Sequence, residues 1–161
     1  MIVFLDFDGV LHPEYTDNTA DLFSRLPLVE DVLREFPRAE IMISSAWRLN
    51  WRDPSAATLE LRKHFSEDIA PRVMGVTPNY IHLDRKNAPD GLYLYQRQWE
   101  CVMWLREHRP AGTPWVALDD RAYWFRPFCE NLMAFDRDVA FTPDRQAELR
   151  ARLIAMQGGS R

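Results

Sequence analysis

The sequence predicts an α/β domain built on a parallel β-sheet with helices on both faces. Short apolar segments, each long enough for one buried strand, alternate with longer segments whose apolar residues recur at helical spacing. The predicted elements are strand 2–6, helix 28–36, strand 40–44, helix 55–65, helix 96–108, strand 114–118, strand 131–135 and helix 143–156. Residues 66–95 contain three prolines and give no clear assignment.

Composition is that of a small globular protein. The chain has 161 residues, of which 47% are hydrophobic, and six tryptophans, which is typical of a packed core and unlike a disordered segment. A net charge of −4 gives no bulk attraction to nucleic acid or to an anionic surface. Cys101 and Cys129 lack the spacing of a metal site, and two free thiols favour a reducing compartment. No apolar run reaches 18 residues, so no membrane-spanning segment is expected. We expect one cytoplasmic domain, residues 1–157, with a flexible tail at 158–161.

The first strand carries the strongest functional signal. It is a fully apolar run that ends in Asp6 and Asp8, and Gly9 follows. Because the two acids are two residues apart, both project to the same side of the chain. Ligands of open α/β sheets bind beyond the carboxyl ends of the strands, where carboxylates can hold a divalent cation. Taken alone, the pair is equally compatible with an ordinary turn.

Polar residues follow two further strands and begin one helix. Ser44 and Ser45 end the strand at 40–44, Asp119 and Asp120 end the strand at 114–118, and Arg97 stands at the start of the helix at 96–108. Each has an ordinary structural explanation: strand-end hydroxyls satisfy local backbone groups, an aspartate caps a helix, and an arginine covers a solvated helix face. These structural explanations, taken one residue at a time, do not predict the order and spacing of the residues. That order and spacing indicate that the residues belong to a single functional site.

The segment Asp6-Phe7-Asp8-Gly9-Val10-Leu11 after an apolar strand resembles motif one of the haloacid-dehalogenase-like (HAD) phosphohydrolases. The hydroxyl, basic and paired-acid elements follow in that family's order, over about 115 residues, with Arg97 where the family usually has Lys and sometimes Arg. The resemblance implies a Rossmann-like HAD core and a Mg²⁺-dependent phosphatase that acts through an aspartyl-phosphate.

The resemblance also implies a role for each residue. Asp6 would be the nucleophile and a metal ligand, and Asp8 the general acid and base, with its backbone carbonyl on the metal. Asp119 would bind Mg²⁺, directly or with Asp120 through water. A serine would donate a hydrogen bond to the phosphoryl group, and Arg97 would hold its charge.

Two of these assignments have rivals. For the hydroxyl, Ser44 comes first after the apolar run, whereas Ser45 stands two residues before Trp47, as in relatives that read Thr-x-Trp, and we prefer Ser45. For the basic residue, the rival is Lys86, and we prefer Arg97 because it begins the helix before the paired acids.

The gaps after the first two motifs are too short for a large cap domain, which predicts an open site. Arg48, Trp51 and Arg52 are the expected substrate-binding residues on its rim, since aromatics stack on bases and arginines bind phosphates. The alternative is that Trp47 packs under the site and Arg48 pairs with an acid.

The compact layout, with Ser45-Ala46-Trp47 after the second strand and Leu118-Asp119-Asp120 at a later strand end, also resembles, more weakly, the HAD domains of Swiss-army-knife RNA repair proteins. That resemblance suggests phosphate removal from an RNA end, so the expected partner is a phosphorylated substrate, including a nucleotide or nucleic-acid end. A phosphotransferase on the same core and a non-catalytic HAD-fold binding module are the other hypotheses. The intact acids Asp6, Asp8 and Asp119 argue against the binding module.

Overall fold

The computed structural model describes residues 1–158, which form a five-stranded parallel sheet in the order β3-β2-β1-β4-β5. The helices and strands are β1 (Ile2–Leu5), α1 (Leu26–Glu35), β2 (Glu40–Ile43), α2 (Pro54–Arg62), β3 (Val73–Val76), α3 (Gln96–His108), β4 (Trp115–Asp119), β5 (Leu132–Ala134) and α4 (Pro143–Gly158). The α/β class, the parallel sheet and the absence of a large cap from the described residues confirm the predicted architecture.

Two apolar layers enclose the sheet. Alternate strand residues such as Val3 and Leu5 pack with α1, α4 and the end of α2 on one face. Their neighbours, such as Phe4, pack with Cys101 and Trp104 of α3 on the other. Because β1 is covered on both faces and paired on both edges, its end is the best-fixed point of the fold.

β3 is the strand that the sequence did not reveal. It has four residues, includes Gly75, and lies at the edge of the sheet, where only Val73 is fully buried. A short edge strand between Pro71 and Pro78 has too few apolar residues to show a strand period. Residues 80–94 then form three 3₁₀ turns that lead to α3.

The other elements begin and end within a few residues of their predicted bounds. Gly158, predicted as the start of the tail, is the last residue of α4, and residues 159–161 lie outside the described part of the chain. Among residues 1–158, no helix is both long and apolar enough to cross a membrane.

Candidate active site

The sheet brings three of the predicted site residues to the same level. Leu5 pairs in register with Ile43 on one side and with Leu118 on the other, so the next residues, Asp6, Ser44 and Asp119, are also in register. The backbone continues this pattern: Ser44 N–H donates to the Leu5 carbonyl, and Asp6 N–H donates to that of Leu118. Side chains in register on parallel strands point to the same face, and here that is the face covered by α3.

Asp6, Asp119 and Asp120 form a compact acid cluster. One carboxylate oxygen from each lies within 4.8 Å of the others, and all three side chains are buried. Burial, followed by the negative charge of Asp6, raises the pKa of Asp119 to about 8 and that of Asp120 to about 6. Asp119 Oδ2 and both carboxylate oxygens of Asp120 accept no hydrogen bond from the described residues.

Such a cluster fits a hard divalent cation. Buried carboxylates without partners are costly, and a cation with oxygen coordination would neutralise their repulsion and occupy their free lone pairs. The donor set contains only oxygen atoms, which suits Mg²⁺ better than the nitrogen and sulfur ligands that zinc prefers.

Gly9 is required by the position of Asp120. Gly9 has a φ of +69°, and a Cβ atom built on it would lie 2.7 Å from the Cβ and Cγ atoms of Asp120. Any larger residue would therefore push Asp120 away from Asp6, in addition to the strain of the left-handed backbone.

Arg97 lies directly against the cluster. Its Nε is 3.1 Å from Asp119 Oδ2, and Nη2 is 3.6 Å from Asp6 Oδ2. Burial lowers the pKa of Arg97, but the charges of Asp6, Asp119 and Glu100 outweigh burial and leave that pKa raised. Nε and Nη1 make no aligned hydrogen bond within residues 1–158, although the ion pairs are close, so both nitrogens can still donate to a ligand.

The rival basic residue is placed differently. Lys86 is exposed on the 3₁₀ turn Arg85–Asn87, and its backbone N–H is held by Asp84. The geometry therefore favours Arg97.

The two serines have different surroundings, and these favour Ser44 over the preferred Ser45. Ser45 Oγ accepts a hydrogen bond from Trp47 N–H at 3.3 Å and caps the turn Ala46–Asn50. Ser44 is buried and in register with Asp6, and its Oγ has no partner in the described structure. Local capping thus accounts for Ser45, whereas the Ser44 hydroxyl is left free.

The Asp8 carboxylate stands apart from the acid cluster. Its oxygens accept hydrogen bonds from Trp47 Nε1, at 3.1 and 2.9 Å, and one of them lies 3.0 Å from His12 Nε2. The side chain is 35% exposed, so a group from solution can reach it.

Residues 2–145 match the family model described as the HAD domain in Swiss Army Knife RNA repair proteins. The chain belongs to this family. No curated protein and no solved structure gives a significant match. The match covers every strand and the first three helices of this HAD domain, together with all the residues of the acid cluster.

The rim of this HAD domain differs from the prediction at one residue. Arg48 is buried, pairs with Glu100 at 2.7 Å, and donates to the carbonyls of Ser44, Ser45 and Thr77. The prediction that Arg48 is a rim residue is wrong, because its guanidinium satisfies strand-end carbonyls inside the fold. The alternative, in which Arg48 pairs with an acid, is the arrangement observed.

Trp51 and Arg52 lie in a groove beside the site. This groove has a volume of about 310 Å³ and also includes Leu49, Asn79 and His82. A small cavity that contains Arg97 and Trp124 shares Leu49 and Asn79 with it, so the groove leads towards the acid cluster. Another cavity, of about 550 Å³, lies around Leu105 and Trp115, at the other end of β4 from Asp119.

Several residues at the site were not predicted. Glu100 lies between Arg48 and Arg97 and accepts a hydrogen bond from Tyr80 N–H. Glu14 pairs with Arg121 and Arg137, whose guanidinium groups lie 4.0 and 3.9 Å from Asp120. These contacts join distant segments, and the only local signal was that Glu100 lies one helical turn after Arg97.

Proposed function

We propose that this protein is a Mg²⁺-dependent phosphomonoesterase that acts through an aspartyl-phosphate on Asp6. The observation that carries the proposal is the buried cluster of Asp6, Asp119 and Asp120 with Arg97 against it. Membership of the HAD family supports the phosphatase class in general.

The first step is attack on phosphorus. An Asp6 carboxylate oxygen forms a bond to phosphorus, and the bond between phosphorus and the leaving oxygen breaks. Attack by an anion on an anionic phosphoryl group requires its charge to be neutralised, and the Arg97 guanidinium, whose Nη2 lies 3.6 Å from Asp6 Oδ2, is placed to do so. The Ser44 hydroxyl donates a further hydrogen bond.

Asp8 moves the protons. Protonated Asp8 gives its proton to the leaving oxygen as the ester bond breaks. The resulting carboxylate then takes a proton from water, whose oxygen attacks phosphorus, releases inorganic phosphate and restores Asp6. Its separation from the acid cluster leaves Asp8 free for this role.

Asp6, Asp119 and Asp120 would hold the cation, with the backbone carbonyl of Asp8 as a further ligand. When bound, Mg²⁺ supplies positive charge that offsets both the carboxylates and the phosphoryl oxygens.

A phosphorylated nucleic-acid end is the favoured substrate within this class. The groove with Trp51 and Arg52 offers one aromatic face and one exposed cation outside the catalytic cluster, and such pairs bind bases and phosphates. A site without a large cap leaves room for a polymer to continue past the phosphate.

A phosphate-release screen with and without Mg²⁺ tests the proposal. The esters are p-nitrophenyl phosphate, sugar phosphates, nucleotides and 3′- or 5′-phosphorylated oligonucleotides. We expect release that requires Mg²⁺ and disappears in Asp6→Asn, while Asp17→Asn, at an exposed aspartate, remains active. Release that is equal in EDTA, or that persists in Asp6→Asn, would exclude this mechanism.

A further inference from the structure

Two side chains from different loops hold the carboxylate of Asp8. Trp47, in the turn after β2, donates its indole N–H to both Asp8 oxygens, at 3.1 and 2.9 Å. His12, four residues after Asp8, lies 3.0 Å from Oδ1 through Nε2. Both contacts fix the direction in which the carboxyl group points.

The hydrogen bonds of His12 define its tautomer. Its Nδ1 lies 3.2 Å from the backbone nitrogen of Phe23, and a backbone N–H can only donate. Nδ1 therefore accepts, the proton of the neutral ring is on Nε2, and Nε2 donates to Asp8. His12 is buried, so its ring is held on both sides.

The backbone at Phe23 is strained in a way that supports this arrangement. Phe23 has a φ of +59°, a left-handed conformation that is unfavourable for a bulky residue. Its ring stacks on His64 at 4.0 Å and meets Trp47 edge-on at 5.3 Å. Strain of this kind persists only where the surrounding packing fixes it, and here it directs the Phe23 N–H at His12.

We infer that His12 and Trp47 are positioning residues that hold Asp8 in the orientation from which it transfers protons. The inference rests on the proposed phosphatase function. His12 and Trp47 both donate to Oδ1, whereas Oδ2 receives only Trp47, so Oδ2 is the oxygen that carries the proton to the leaving group.

The dependence of the reaction rate on the leaving group distinguishes this positioning role from a purely structural role. A poor leaving group, such as the alkoxide of a ribose phosphate, needs a proton as it departs, whereas p-nitrophenolate departs without one. Proton transfer contributes typically 10²–10⁴-fold. A displaced Asp8 should therefore lower kcat/KM for the alkyl ester and spare kcat/KM for p-nitrophenyl phosphate, because kcat/KM reports the transfer of the phosphoryl group to Asp6, whereas the later hydrolysis, which also uses Asp8, is common to both esters.

The experiment compares kcat/KM on both esters for Trp47→Phe and His12→Ala. We expect kcat/KM on the alkyl phosphate to fall on the order of tenfold or more, part of the proton-transfer contribution, and kcat/KM on p-nitrophenyl phosphate to change about twofold or less. His12→Gln, which can still donate to Asp8, should recover part of the loss. Trp115→Phe is the matched control, since Trp115 lies at the opposite end of β4 from Asp119 and its indole makes no hydrogen bond to Asp8 in the described structure.

Equal losses on the two esters, or no loss on either, would overturn the inference. In an Asp8→Asn background, Trp47→Phe should add no further leaving-group dependence.

A second readout does not need activity. ¹⁵N NMR of the wild-type protein should show His12 protonated at Nε2, and Asp8→Asn should shift the Trp47 indole resonance. If the wild type hydrolyses no ester, the proposed function fails independently of this readout. If either NMR signature is missing, the positioning role fails even in an active enzyme.

Discussion

Asp6 and Asp8 are two residues apart, yet their carboxylates have opposite surroundings. Asp6 belongs to a buried cluster in which three oxygens of Asp119 and Asp120 accept no hydrogen bond within the described structure. Asp8 is partly exposed, and donors from Trp47 and His12 satisfy both of its oxygens. The protein satisfies the oxygens of Asp8, whereas around Asp6 it leaves oxygens of the neighbouring Asp119 and Asp120 for a ligand to complete.

This difference separates the two kinds of work at the site. Repulsion among the buried carboxylates of the acid cluster destabilises the metal-free protein. A bound cation removes this repulsion, and its removal favours binding of the cation. A satisfied carboxylate has no such need and can be held for proton transfer. The comparison predicts that equivalent changes on the two sides will have different effects.

The largest expected effect is on turnover. Asp6→Asn should lower kcat by more than about 10⁴-fold, since an amide does not attack phosphorus and removal of a nucleophile can cost roughly 10⁶-fold. Asp8→Asn should cost less, about 10²–10⁴-fold, because only proton transfer is lost. Steady-state kinetics on one alkyl phosphate measures both. Equal losses would mean that the two acids do not have separate roles.

The pH dependence of Mg²⁺ affinity is the next largest effect. The pKa of Asp119 is raised to about 8 and that of Asp120 to about 6, so at pH 7 the metal-free protein holds a proton that a cation must displace. Affinity should therefore rise with pH between 6 and 8, on the order of tenfold per unit for one displaced proton, and level off above 8.

Calorimetry in buffers of different ionisation enthalpy measures both the affinity and the released proton. Asp8→Asn should keep the same pH dependence, because the Asp8 side chain lies outside the acid cluster. An affinity that is constant from pH 6.5 to 8.5 would contradict the raised pKa of Asp119.

Gly9→Ala tests the packing that places Asp120. The added Cβ would meet Asp120 at 2.7 Å, whereas nothing lies within 4 Å of a Cβ added at Gly112, which also has a positive φ. Both variants should lose about 1–2 kcal/mol of stability from backbone strain. Gly9→Ala alone should weaken Mg²⁺ binding, about tenfold or more if Asp120 is lost as a ligand partner. Equal Mg²⁺ affinities in the two variants would show that the contact with Asp120 is unimportant.

The same substitution on the two sides should change thermal stability in opposite directions. Raised pKa values mean that protonated Asp119 and Asp120 favour folding, and this contribution is lost as the pH rises through about 6 and about 8. Without Mg²⁺ at pH 8, Asp120→Asn should raise Tm by roughly 2–4 °C, as about 1 kcal/mol does in a domain of this size. Asp8→Asn should lower Tm, since an amide nitrogen would face the Trp47 donor.

Differential scanning calorimetry at pH 4 and pH 8 checks both variants. The gain from Asp120→Asn should shrink as the pH falls below about 6 and largely disappear towards pH 4, where the carboxyl group is protonated in the folded and much of the unfolded protein. A gain of equal size at both pH values would indicate that relief of charge is not its cause.

The sequence revealed the acids because they follow apolar strands that register brings together. Strand ends predicted Asp6, Asp119 and Asp120 at the carboxyl end of the sheet, and the resemblance to the HAD family predicted Arg97 beside them. The sequence did not show whether Ser44 or Ser45 is the phosphate-binding hydroxyl, because that choice depends on which hydroxyl accepts the hydrogen bond from the Trp47 backbone N–H. Strand order and register do not show such local hydrogen bonds.

Arg48 and His12 illustrate the same limit in opposite ways. Arg48 was predicted to be a cation on the rim, but it pairs with Glu100 of α3, far from it along the chain. His12 carries no functional signal in the sequence, yet it joins Asp8 to the backbone of Phe23. Neither contact follows from periodicity or composition, since each depends on how separate loops pack.

The smallest expected effect concerns the groove beside the acid cluster. Arg52 is exposed there and lies outside the cluster, so Arg52→Ala should raise KM for a phosphorylated oligonucleotide about twofold to fivefold and leave kcat unchanged. The reason is that one exposed cation contributes about 1 kcal/mol or less to binding and does not touch the phosphoryl group.

Arg85→Ala is the matched control, because Arg85 is an exposed arginine on the turn Arg85–Asn87 and does not line the groove. Kinetics at two salt concentrations should show the Arg52 effect shrinking as salt rises. If Arg52→Ala changes KM for a small sugar phosphate as much as for the oligonucleotide, the groove does not bind the distal part of the substrate, and the roles of Asp6 and Asp8 are unaffected.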